Sequence, residues 1–251
     1  MAEARTIGLD DRLEIAVVAT FVAVGAFAVG NVAVVALGGL IESAGIPVFD
    51  RPARLLVVST FGLQGLGFGG VALVYLRRTG RGLAFVRASV PSLRDVVWIV
   101  LGVPLLFGVY LAITVGLDAA GVPLGESDVI GAVEGAPEVA AALAVLSVLL
   151  VGPAEELLYR GIVQRTFGEA VGPVGAIVAT SAVFAAIHFP AVSGSLEARL
   201  AVLLVIFVSA LGLGSLYEWT GNLAVPAVVH GVFNAAQFVA VYVEATGVVV
   251  G

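Results

Sequence analysis

The chain has 251 residues, 60% of them apolar (AVILMFWYC) and only 12% charged, and its mean hydropathy is +1.12. A soluble domain carries about a quarter charged residues, so this composition excludes a soluble enzyme, a nucleic-acid binder and a disordered chain. The absence of Cys excludes a disulfide scaffold, a thiolate metal site and a thiol nucleophile, and the net charge of −6 sets 18 acidic residues against 12 Arg, with no Lys.

A hydrocarbon core about 30 Å thick takes roughly 20 apolar residues of helix. Charge-poor windows of that kind recur along the chain. The first, at 15–41, is too long for the core of a signal peptide. The second and third lie at 55–76 and 96–117. The fourth opens at 139 and runs through Glu155, Glu156 and Arg160 to the neighbourhood of 167. The fifth, 171–187, ends at His188; the sixth is 200–217; the seventh, 223–243, contains His230 and Asn234. The runs are continuous rather than alternating, which argues against a transmembrane β-barrel. The reading is all-α: a polytopic transmembrane helical bundle of seven spans, with eight as the alternative count, forming one integral cell-membrane domain over 1–251.

The loops set an orientation. Arg77, Arg78, Arg81, Arg87 and Arg94 lie between the second and third spans, opposed only by Asp95. Asp118, Glu126, Asp128, Glu134 and Glu138 lie between the third and fourth, with no cation among them. Positively charged loops stay in the cytoplasm. The N-terminus and the turn near 168–172 are therefore expected inside, and the acidic loop outside. The Arg loop is expected to obey this rule and do little else.

An ionised side chain at the bilayer centre costs about 2.5 kcal/mol or more, so residues that incur the cost are functional candidates. Three charges stand well inside an apolar run: Glu155, Glu156 and Arg160. Both His residues and Asn234 lie in or at the end of a span. Glu156 and Arg160, four apart, share a helix face and are expected to pair. Glu155 lies about 100° further round, without a local partner. Phe184 and His188 share a face, as do His230 and Asn234. At about 1.5 Å per residue, Glu155 and His188 lie roughly 20 and 27 Å from the turn between their spans, so they can face each other across an antiparallel pair. Such a cluster suits hydrolysis by an activated water, either with Glu155 as base or on a divalent metal such as Zn held by Glu155, His188 and His230. The alternative is polar side chains that join helices by hydrogen bonds.

Glu155-Glu156-Leu157-Leu158-Tyr159-Arg160 resembles the EExxxR motif of the CAAX-protease and bacteriocin-processing family of intramembrane endopeptidases, which includes the type II CAAX prenyl endopeptidases. Phe184 to His188 resembles its FxxxH motif, and His230 to Asn234 its HxxxN motif. The likeness covers about 138–240. It implies peptide-bond hydrolysis within the bilayer, on a peptide or protein substrate at the membrane, lipidated or not. By position, Glu155 would activate water, His188 orient it, and His230 with Asn234 stabilise the oxyanion. Glu156 joins the candidate catalytic set, with Arg160 and Phe184 in support. The family has been described both as metalloproteases and as metal-independent glutamate peptidases; the preferred expectation here is a site without metal. A transporter with a proton relay, and a non-catalytic scaffold or immunity factor, are the competing readings. Among the remaining polar residues, Asn31 and Gln64 are expected to bond between helices, with a substrate path as the sharper idea. Trp98 and Trp219 suit interfacial anchors.

Overall fold

A computed structural model describes residues 8–247. Among them, six helical segments are long and apolar enough to cross a membrane. They are α1 (Leu9–Ser43), α2 (Pro52–Thr79), α3 (Leu93–Ala119), a 55-residue segment (Pro137–Ala191), α6 (Leu196–Thr220) and α7 (Ala224–Thr246). The 55-residue segment is not one rod. Gly172 adopts φ 73° and ψ 175°, a conformation open to glycine, and Pro173 follows it. The rings of Tyr159 and Phe184 then meet at 4.9 Å, whereas a straight helix would hold them about 37 Å apart. The segment is a hairpin of α4 (137–171) and α5 (173–187). Each of the seven spans expected from the sequence is therefore a helix.

Local chemistry explains where the helices start and stop. Ser92 caps α3, accepting from the Asp95 N–H at 3.3 Å while Asp95 accepts the Ser92 N–H at 2.8 Å. Ser195 caps α6, and Pro52 and Pro137 open their segments. Gly80, Gly221 and Gly247 close α2, α6 and α7. Large apolar side chains cover the outside of the bundle: Phe21 is 76% exposed and Val174 75%. These are lipid-facing positions, since water would not tolerate so continuous an apolar surface.

Helical periodicity alone does not anticipate three π-helical stretches, Thr60–Gly70, Ser147–Val151 and Leu157–Gln164. Such wider turns recur at functional sites. The last two bracket the short α-helical turn Gly152–Glu156, which carries both buried glutamates.

Two readings of the loops and spans need correction. The Arg loop does more than set orientation: Val86 is wholly buried. Tyr217 donates to its carbonyl at 3.0 Å, and the Leu223 N–H to that of Arg87 at 3.0 Å. Ion pairs Arg81–Glu169 (3.1 Å) and Arg87–Glu218 (3.0 Å) tie the loop to the α4–α5 turn and the end of α6, so these lie at one end of the bundle. Asn31 does not bond between helices; its amide donates at 2.8 Å to Phe27 one turn back. In the acidic loop, Glu126–Ser127 (β1) pairs antiparallel with Val192–Ser193 (β2), a minute sheet beside the helices.

Candidate active site

Helix α4 supplies Glu155, Glu156 and Arg160, α5 supplies Phe184 and His188, and α7 supplies His230 and Asn234. Glu156 and Arg160 are wholly buried, and Glu155 and His230 nearly so. The expected pair forms, with Arg160 Nε 3.1 Å from Glu156 Oε2. Arg160 also donates from Nη2 to the Ala210 carbonyl of α6 at 3.3 Å. A buried charge needs such compensation, and here each member of the pair neutralises the other.

The other oxygen of Glu156 lies 2.9 Å from His230 Nδ1. That bond turns His230 Nε2 toward Glu155, whose Oε2 is 3.7 Å away. Glu156 thus stands behind His230, one oxygen hydrogen-bonded to the ring and the other ion-paired with Arg160. Glu155, one residue earlier, faces the interior space. His188 Nδ1 is 2.7 Å from the Phe184 carbonyl. A carbonyl only accepts, so Nδ1 carries the proton and Nε2 is left free. The Phe184 ring packs edge-on against Tyr159 at 4.9 Å and His230 at 5.9 Å, and tilted against His188 at 4.6 Å. The Arg160 guanidinium lies 5.4 Å from its centroid. One aromatic ring therefore packs against both histidines and the arginine.

Glu155, His188, His230 and Asn234 line one cavity of about 120 Å³, with Ser209 and Phe184. A share of liquid water is about 30 Å³, so there is room for a nucleophilic water and part of a second group. A larger cavity of about 440 Å³ shares Glu155, His188, Ser209 and Asn234 with it and adds Gln64. A third, of about 490 Å³, shares His188 and Gln237 with the second and reaches Glu126, Asp128 and Glu134 in the acidic loop. These shared walls trace a cleft from the acidic end of the bundle to Glu155.

The structure thus brings the five residues singled out from the sequence into one neighbourhood: four on the cavity wall, and Glu156 behind. Glu155, His188 and His230 do not converge as a metal-ligand set; no group of three His, Asp or Glu side chains does so among the described residues. Sequence reasoning missed the Glu156–His230 bond and the presence of Ser209 in the wall. It flagged Gln64 only through its polarity within an apolar span.

Residues 137–236 match the model of a family described as type II CAAX prenyl endopeptidase Rce1-like. The matched residues include all three motifs. The chain is also similar to the uncharacterized protein YpbD of Bacillus subtilis (strain 168), at 39% identity over 89 residues. That stretch is 35% of this chain and spans 39% of the relative's length. No solved structure matches the chain. The resemblance carried by the motifs therefore holds: over residues 137–236 the chain is similar to the Rce1-like, type II CAAX prenyl endopeptidase family.

Proposed function

We propose that the protein is an intramembrane endopeptidase, cutting a peptide bond of a membrane-associated, CAAX-like polypeptide with a water activated by Glu155. The observation that carries this reading is the convergence of Glu155, His188, His230 and Asn234 on one cavity from three helices. With Glu156 and Arg160 neutralising each other, Glu155 is the carboxylate left to act as base. It takes a proton from water, and the free Nε2 of His188 orients that water. The oxygen attacks the scissile carbonyl. His230, held through Nδ1 by Glu156 and in its imidazolium form, donates from Nε2, and with the Asn234 amide it stabilises the oxyanion as it forms. The proton held by Glu155 then passes to the leaving amine as the C–N bond breaks.

The test is cleavage of a peptide panel by the protein purified in detergent. Glu155→Ala is expected to lower kcat by about 10²–10⁴ and Asn234→Ala by about 10²–10³, each with unchanged thermal unfolding. Activity removed by chelator and restored by zinc would replace the metal-free route. Solute flux in liposomes that persists in Glu155→Ala would support a transporter instead.

A further inference from the structure

Gln64 lies on the π-helical stretch Thr60–Gly70 of α2, outside the residues the family model matches. One side of this stretch is packed tightly on α1: a Cβ at Gly67 would come within 2.6 Å of the Gly30 Cα, and one at Gly62 within 2.8 Å of Val34. Gln64 is turned elsewhere. It lines the 440 Å³ cavity together with Glu155, His188 and Asn234. Its Oε1 is buried and has no hydrogen-bond partner among the described residues, which do not show the helix-joining role expected for it. The Ser209 hydroxyl of α6, on the wall of the same cavity, is also buried and unpartnered. Two unsatisfied buried polar groups are costly, and the residues that carry them line the cavity from which the candidate base is reached.

A carboxamide carries one acceptor and two donors, the complement of a peptide group's N–H and C=O. The cavity falls in the size range of small-ligand sites, about 300–1,000 Å³, and its other walls include Leu63, Leu143, Val205 and Phe233. Apolar walls accept side chains without selecting among their polar groups, while the Gln64 amide, in the same cavity as the hydrolytic groups, fixes the backbone.

We propose that Gln64, assisted by Ser209, binds the main chain of the substrate polypeptide and sets its register over Glu155. This inference rests on the peptidase reading above. In it, the N-terminal half supplies substrate alignment and the C-terminal half the hydrolytic groups.

The test uses a fluorogenic peptide cut by the wild-type protein and copies of it N-methylated at single residues. Gln64→Leu, of similar volume, is expected to raise KM by about 3- to 10-fold, the effect of one neutral hydrogen bond, with kcat changed far less. One N-methylated peptide should lose the same factor with wild-type protein and nothing further with Gln64→Leu, since the two changes remove one bond. Ser209→Ala, the removal of a single oxygen, gives a second cycle if Gln64→Leu folds poorly. Wild-type KM in both variants, or N-methyl losses that multiply with the mutations at every position, overturns the backbone-binding role alone. A wild-type protein that cuts no peptide in the panel overturns the peptidase reading instead.

Discussion

Arg160, Glu156 and His230 form a buried chain in which each residue compensates the next. Arg160 and Glu156 are inaccessible to solvent, so removing Arg160 leaves the Glu156 charge with only His230 beside it. Arg160→Met is expected to destabilise the protein by about 3–5 kcal/mol, whereas replacing both members of such a pair by apolar residues is often neutral. The double variant Glu156→Met/Arg160→Met should therefore regain most of the lost thermal stability in detergent. It should not regain peptide cleavage, because His230 Nδ1 has lost the carboxylate 2.9 Å away that orients it. Full activity in the double variant would show that Glu156 has no part in holding His230.

Contact between α4 and α7 depends on two glycines. A Cβ at Gly152 would lie 2.5 Å from the Ala227 carbonyl oxygen and 2.9 Å from the Gly231 nitrogen. A Cβ at Gly231 would lie 2.7 Å from the Ser147 carbonyl oxygen. Small residues let helix backbones approach in a membrane, where no hydrophobic force presses them together. Here the approach sets the distance between Glu155 and Glu156 on one helix and His230 on the other. Gly152→Ala and Gly231→Ala are each expected to cost about 1–3 kcal/mol through overpacking. Each should also reduce kcat beyond what the stability loss explains, because the catalytic spacing itself shifts. Unfolding curves and cleavage rates measured on the same preparation separate the two effects.

For the molecule as a whole, the Arg loop, the α4–α5 turn and the end of α6 lie together, while the acidic loop borders the open end of the cleft. By the positive-inside rule the Arg end is expected in the cytoplasm. The chain has no Cys, so single introduced thiols report cleanly. Glu134→Cys is expected to react with a membrane-impermeant reagent in intact cells, and Arg78→Cys only after the membrane is opened. The reverse pattern would invert the orientation and put the mouth of the cleft on the cytoplasmic side.

Hydropathy, helical spacing and the placement of charges are local properties, and they were legible along the chain. They yielded the seven helices, the Glu156–Arg160 pair and the facing of Glu155 and His188 across a hairpin. The motif residues stood out because an apolar background makes each buried polar group conspicuous. The tertiary structure alone decided that Glu156 backs His230 rather than facing the cavity. It also decided that the α-helical spacing gives way to π turns around the glutamates, and that Gln64, some ninety residues before them, shares their cavity. The physical reason is that which helix faces meet is set by crossings at Gly30–Gly67 and Gly152–Gly231. These are contacts between backbones far apart in sequence, and no periodicity within one helix encodes them.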